Sequence, residues 1–309
     1  MTDVKITISQ EEIMRLWQKP PGDPVVSVCC PVFNHAAFLE ETLRGILSQV
    51  TDFPFEVLIH DDASTDQTAH VASEYTRAYP DIVKLVRQTE NQWSKGHQIC
   101  AEFLLPLARG CYIAICEGDD YWVDPAKLQK QVDFMEANPD YALCFGDCLG
   151  LVHETGERVP VSGVRWDLSC EDLQRVPSVF TLTACFRNVL GEWPRELSRA
   201  PYGDMLFWTL LGDHGKGKYL QELGPSVYRL HEAGLHSLKS RHTQMEKALE
   251  TFMVLFLYRL RRGDRALAMT HLQDIVVYAI KLGGVALWRG IASRAWRRLR
   301  RKLAAGGGR

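Results

Sequence analysis

No run of the 309-residue chain approaches the ~18 uncharged apolar residues of a spanning helix, which predicts no transmembrane segment. The first 24 residues lack an apolar h-region, so no signal peptide is expected. No CxxC pair occurs among the nine cysteines, and Cys29, Cys30, Cys116 and Cys144 lie inside apolar runs. This predicts buried, reduced thiols in a cytoplasmic protein rather than disulfides or a zinc site. Gly, Pro and charged fractions are ordinary, which excludes disordered and fibrous classes, and there is no internal repeat. What remains is a globular chain, 46% hydrophobic, able to bury one large core with an appendage.

The net charge of -2 hides an asymmetry. Nine of the 36 Lys and Arg residues follow Asp274 with no acid among them, leaving 27 basic against 38 acidic residues before that point. The body is about -11 and the tail +9.

The first half alternates strand and helix signals. Val25 to Cys30 is a continuous apolar run, as in a strand buried on both faces. Leu39, Leu43, Ile46 and Leu47 then recur at helical spacing. Phe55 to His60 reads as the next strand, and Ser64 with Gln67 reads as a capping box for a helix carrying Ala72, Tyr75 and Tyr79. Ile82 to Val86 and Tyr112 to Cys116 are further strands. Asp124-Pro125 opens a helix with Leu128, Val132 and Met135 inward. Such alternation implies a mostly parallel α/β sheet flanked by helices. Beyond Tyr141 we expect a hairpin at Thr155-Gly156, a short helix from Ser169 to Val176 and a strand from Val179 to Phe186. From His242 one helix carries the stripe Met245, Leu249, Phe252, Met253, Phe256 and Leu260, and a second spans 264–282. The expected divisions are an N-terminal extension (1–24), the sheet domain (25–240), a helical hairpin (241–284) and a basic tail (285–309).

In open α/β sheets ligands bind beyond the carboxyl ends of the strands. Asp61-Asp62 and Glu117-Gly118-Asp119-Asp120 follow strands, and Asp204 stands before an apolar helix. Acids clustered after a buried strand are costly unless a cation neutralises them, and a hard divalent ion on a pyrophosphate would do so.

The segments from Val26 to Asn34, Leu47-Ser48-Gln49, and Glu56 to Thr68 resemble the opening of glycosyltransferase family 2, which reads roughly V-S-V-I-I-P-x-Y-N, S-x-x-x-Q and V-D-D-x-S-x-D-x-T. The likeness extends from about Val25 to His236. It implies a GT-A type, Rossmann-like fold with a C-terminal helical extension, and an inverting transfer from a nucleotide-sugar. By this resemblance Pro31, Val32 and Asn34 line the nucleotide site, and Asp62 holds the base edge with Asp61 beside it. A carboxylate accepting a base N–H favours a uridine or guanine donor. Lys95 or His97 falls where a basic residue often approaches the nucleotide, although Lys95 also reads as a solvated charge. Glu117-Gly118-Asp119 stands at the metal-binding Asp-x-Asp, so Asp119, with Glu117 and His231, is expected to hold Mn²⁺ or Mg²⁺ on the diphosphate. Glu117 departs from the pattern by one methylene, and the role of Asp120 stays open. Asp204 resembles the catalytic base, with helix capping as its bland alternative. Thr181, Thr183 and Arg187 resemble the acceptor-side segment, with no chemistry assigned.

Residues 288–303 alternate an apolar face (Trp288, Ile291, Ala295, Trp296, Leu299) with arginines, as in a helix lying on an anionic membrane surface. A helix docked on the body and a nucleic-acid contact are the alternatives, and we expect no nucleic-acid partner. Together with this tail, the family resemblance implies a peripheral enzyme on the cytoplasmic face of the membrane, building surface polysaccharide on a glycan or lipid-linked acceptor. Two other readings compete. A catalytically silent nucleotide-sugar-binding scaffold would not need Asp119, Asp204 and His231 together. A nucleotidyltransferase would want a Gly-rich basic loop after the first strand, whereas Pro31 to Ala37 holds no glycine and no basic residue except His35.

Overall fold

The four strands read from the first half of the sequence lie side by side in the computed structural model, which describes residues 8–20, 22–231 and 240–283. A short helix α1 (Gln10–Met14) precedes β1 (Val26–Val32), α2 (Leu39–Leu47), β2 (Phe55–Asp61), α3 (Thr68–Ala78), β3 (Val83–Arg87), β4 (Tyr112–Ile115) and α4 (Lys127–Ala137). The chain continues through β5 (Tyr141–Phe145), β6 (Cys148–Val152), β7 (Arg158–Pro160), α5 (Cys170–Gln174), β8 (Cys185–Arg187), α6 (Gly203–Leu211), β9 (Lys216–Tyr219) and β10 (Ser226–Leu230). Seven strands form one sheet in the order β3-β2-β1-β4-β8-β5-β9, with only β8 antiparallel to its neighbours. A second sheet has the order β10-β6-β7.

Every residue of β2 is buried, and β1 is buried except at Pro31, as expected of strands covered on both faces. Leu39, Leu43, Ile46 and Leu47 of α2 join Val28, Val57, Ile59 and Ala114 in the core. Gly45 lets α2 approach closely, since a Cβ there would lie 2.7 Å from the Trp122 carbonyl oxygen. Gln49 clamps the start of α4, donating to Asp124 O at 2.7 Å and accepting from Leu128 N at 2.9 Å. The family-like glutamine is thereby a structural residue. Because β1, β2 and β4 are parallel, the loops after them emerge at one end of the sheet.

The described part of the N-terminal extension is built into the domain. Ile13 belongs to the core, the Gln10 side chain pairs with both the carboxylate and the N–H of Asp81, and Tyr79 donates its hydroxyl to Ile8 O. The capping box expected at Ser64 and Gln67 does not form. Asp66 instead accepts the Thr68 N–H at 2.9 Å, and Ser64 is engaged elsewhere. The strand expected over Val179 to Phe186 is interrupted by a 3-10 turn at Thr181–Thr183 and resumes as β8.

The chain forms two compact units, Met1–Arg199 with Gly203–Leu238, and Ala200–Tyr202 with Lys239–Arg309. In the second, α7 (Arg241–Arg261) is followed by a further helix α8 (265–283). The buried face of α7 is Ala248, Thr251, Phe252, Leu255, Tyr258 and Arg259, whereas Met253 and Leu260 of the predicted stripe are exposed. Among the described residues no helix is long and apolar enough to cross a membrane. The basic tail at 285–309 lies outside the described residues.

Candidate active site

The loops after β1 and β2 fasten to each other. Asn34 N–H donates to Ser64 Oγ at 3.0 Å, His35 N–H to Thr68 Oγ1 at 2.8 Å and Ala36 N–H to Asp66 Oδ2 at 3.1 Å. In return Asn34 Oδ1 accepts the Thr65 N–H at 2.8 Å. Asn34 and Ala63 both adopt left-handed backbone conformations, at φ 56° and 61°. Asparagine tolerates this region, and alanine does so only when its surroundings impose it. Asp61 accepts the Ser64 N–H at 3.0 Å and faces Arg87 at 3.6 Å. Pro31 and Val32 close the end of β1, so the proposed nucleotide residues of both loops share one rim.

Glu117 to Asp120 follow β4 and meet β10. Tyr121 and Val227 form an antiparallel bridge, and on β10 side chains two apart share a face, so Arg229 and His231 project together. His231 Nε2 lies 3.0 Å from Asp119 Oδ2, and His35 Nε2 lies 3.6 Å from the same oxygen. Burial would raise the Asp119 carboxyl, but the His231 hydrogen bond and the neighbouring imidazoles outweigh it and hold the group below its ordinary range. Burial pushes the His35 imidazole down, against the pull of Asp119. Gly118 is obligatory here, since a Cβ would fall 2.4 Å from Val32 Cγ1 and 2.9 Å from His35 Nδ1.

Asp120, open at the sequence level, acquires a role. It is 2% exposed, and its Oδ1 accepts the Arg229 backbone N–H at 2.8 Å. The Arg229 guanidinium is itself buried, donating to Asp119 O and to Glu41 Oε2, each at 2.7 Å, over the rings of Phe38 and Tyr121. Phe38 also packs on His231 and His153, with ring centroids 4.7 and 4.8 Å away.

Glu117 accepts the Thr181 hydroxyl at 2.7 Å, while its buried Oε2 has no hydrogen-bond partner. Burial, reinforced by the charges of Asp119 and Asp204, pushes this carboxyl up to about 7. Asp204 occupies the first turn of α6, close enough to Glu117 to act on its charge.

Not every predicted residue joins this group. Asp62 is 3% exposed, and its oxygens accept the N–H groups of Gln92 and Trp93. Lys95 pairs with Glu90 of its own loop and is half exposed, and His97 pairs with Glu102. Thr183 donates to Phe180 O. Arg187 pairs in register with Tyr112, at the start of β4 and away from Glu117, and donates to the carbonyls of Met135, Asn138 and Tyr141. Sequence reading missed His35, Phe38 and Arg229. The available signal was Arg229 at an inward position of an alternating strand.

A divalent cation can be tested against these donors. Among the described residues no three His, Cys, Asp or Glu side chains are grouped to hold a metal by themselves. Asp119 Oδ2 and His231 Nε2 nevertheless present a carboxylate and an imidazole at one point, with the orphaned Glu117 oxygen in the same acid cluster. Mg²⁺-type sites take one or two protein ligands and complete their shell with phosphate and water. The residues fit that requirement.

The architecture is a GT-A type nucleotide-sugar fold. It is shared with the mannosyltransferase PcManGT from Pyrobaculum calidifontis, solved with GDP-Man and Mn²⁺, at a TM-score of 0.54 and 19% identity over 96% of this chain and 87% of that one. Residues 27–151 match the family model of glycosyl transferase family 2, and this segment of the chain belongs to that family. An uncharacterized protein of Mycobacterium tuberculosis is 32% identical over 238 residues, 73% of this chain. The matched region spans 64% of that relative's length. The Escherichia coli protein WfaP, a UDP-Glc:alpha-D-GlcNAc-diphosphoundecaprenol beta-1,3-glucosyltransferase, is 32% identical over 112 residues, 36% of this chain and 41% of its own.

Proposed function

We propose that the protein is an inverting hexosyltransferase that takes its sugar from a nucleoside diphosphate donor, a UDP-sugar in preference, and delivers it to a glycan or lipid-linked acceptor of a bacterial surface polysaccharide. The observation that carries this reading is the meeting of Asp119 and His231 at 3.0 Å after the parallel strand β4, in one acid cluster with Glu117, whose carboxyl also feels the charge of Asp204. Pro31, Val32, Asn34, Asp61 and Asp62 face the nucleoside end, and Lys95 borders it. Asp119 and His231 take the diphosphate end together with Mn²⁺ or Mg²⁺, and Glu117 supports them. The bound cation, when present, offsets the negative charge that grows on the departing diphosphate. Asp204 accepts the proton of the acceptor hydroxyl while that oxygen bonds to the anomeric carbon from the face opposite the breaking bond to the diphosphate. Thr181 holds Glu117 oriented through the bond from its hydroxyl.

The acceptor side of the proposal draws on the printed activity of WfaP, whose acceptor is a diphosphoundecaprenol-linked sugar. Residues 285–303 would then bring the enzyme to the anionic cytoplasmic face of the membrane. Met253, Leu257 and Leu260 on α7, and Met269, Val276 and Val277 on α8, leave apolar side chains exposed in the same unit, which suits that placement.

The deciding experiment incubates the protein with a panel of nucleotide sugars and Mn²⁺ and follows nucleotide release by slow hydrolysis, alongside calorimetry with UDP and GDP. Release from one donor that is abolished in Asp119→Ala is expected. Nucleotide binding without any release would favour a catalytically silent scaffold, and metal-independent binding by Asp119→Ala at wild-type strength would remove Asp119 from the site.

A further inference from the structure

Asp62 is shut away from water, and both its oxygens are engaged by the next loop. Oδ1 accepts the Gln92 N–H at 2.7 Å and Oδ2 the Trp93 N–H at 3.0 Å. Its own N–H donates to Val32 O at 3.0 Å, and its carbonyl accepts from Asn91 Nδ2 at 3.3 Å. One buried residue therefore ties the segment after β3 to the end of β1. The segment is further closed on itself. Asn91 accepts both the Ser94 N–H and its hydroxyl, Trp93–Lys95 is a 3-10 turn, and Gly96 ends it at φ 88°, a conformation that favours glycine.

A loop so thoroughly bonded nonetheless leaves its largest side chain in water, since Trp93 is 43% exposed. Phe33, directly after Val32, is 41% exposed. Scattered single apolar residues on a surface need no explanation. Trp93, whose own N–H binds the Asp62 carboxylate, and Phe33, next to the Val32 carbonyl that accepts the Asp62 N–H, flank one buried residue and are not scattered.

We propose that the Trp93 indole forms one wall of the slot that takes the nucleobase of the donor, with Asp62 as the positioning residue that fixes the loop carrying it. The inference rests on the donor-site reading above and deepens it. An Asp62 spent on backbone N–H groups contributes to base binding by geometry, and the stacking face supplies affinity. Because every base has a π-face, Trp93 raises affinity for nucleoside diphosphates as a class and does little to choose among them.

Calorimetry of the full chain with UDP, GDP and inorganic pyrophosphate, each with Mn²⁺, tests this. Trp93→Ala should weaken UDP and GDP by about tenfold or more, the scale of one base–aromatic stack. The same variant should bind pyrophosphate as the wild type does, which also shows that it is folded. Trp93→Phe should recover most of the loss, because a smaller ring still stacks. Unchanged nucleotide affinity in Trp93→Ala would overturn this inference and leave the donor reading standing. An equal loss for pyrophosphate would also overturn it, because the loop would then serve the phosphates. A wild type that binds pyrophosphate but no nucleotide would overturn both.

Discussion

Replacing Arg229 by methionine removes the cation that underlies the acid cluster, and the structure allows the cost to be assembled part by part. The side chain is only 5% exposed, so its hydrogen bonds are not replaced by water as they break. Loss of the 2.7 Å bond to Asp119 O leaves a buried carbonyl short of a donor, about 1–3 kcal/mol. Glu41 is 49% exposed and regains solvent, so that pair contributes below about 1 kcal/mol. The faces of Phe38 and Tyr121, 4.8 and 5.2 Å from the guanidinium carbon, add about 1 kcal/mol. Methionine keeps most of the packing volume. The total is about 3 kcal/mol, at the low end of the range for breaking a buried pair. Urea unfolding of wild type, Arg229→Met, Asp120→Asn and the double variant would measure it. Asp120→Asn should restore part of the loss in the Arg229→Met background, since it removes a buried carboxylate that the guanidinium faces. A loss below about 1 kcal/mol in Arg229→Met, or strict additivity in the double variant, would refute the account.

Asp204→Asn should retain UDP–Mn²⁺ affinity by calorimetry and lower sugar transfer by about 10²-fold, and near-normal transfer would reduce Asp204 to a helix cap. Lys127 is buried over the Trp122 ring, and burial pushes its ammonium down to about 8. Between that value and the ordinary 10.5 the unfolded chain binds more protons, so stability rises with pH across this window. The wild-type stability relative to Lys127→Met should therefore climb by about 3 kcal/mol from pH 8 to 10.5, and a flat difference would contradict the burial effect. A chain ending at Gly284 should keep nucleotide binding and lose salt-sensitive co-sedimentation with anionic vesicles, where each basic residue contributes about 1 kcal/mol. Equal sedimentation of both forms would move membrane contact away from residues 285–303.

The centre of the sheet was legible because β1 and β2 are buried on both faces, so Val25 to Cys30 is largely apolar and Val57 to Ile59 is an apolar stretch. The proposed site was legible where one residue type would carry the chemistry, as at Asp119 and Asp204. It was obscure where several short polar residues compete for one backbone group. Ser64, Asp66 and Thr68 can each cap α3, and only the approach of Asn34 and Ala36 decides among them. The face of α7 was misjudged because that helix is apolar on two sides. Ala248 and Thr251 are buried while Met253 and Leu260 are not, a choice that hydrophobicity along the chain does not encode. Lys95, given a role by position, has its charge met by Glu90 in the same loop, a pairing that the sequence did not mark.

The crossed hydrogen bonds between the turns after β1 and β2 bear on what nucleotide binding costs. Asn34, His35 and Ala36 are held by Ser64, Thr68 and Asp66 in the free protein, so a ligand arriving at that rim has little chain entropy left to remove. Affinity is then partly owed to side chains that never touch the nucleotide. Shortening Thr65, whose hydroxyl meets Asn34 Oδ1, would loosen the rim and slow nothing chemical, yet the ligand would have to order the turns itself. Amide exchange at residues 34–36 should be slow before any nucleotide is added, and nearly the same after.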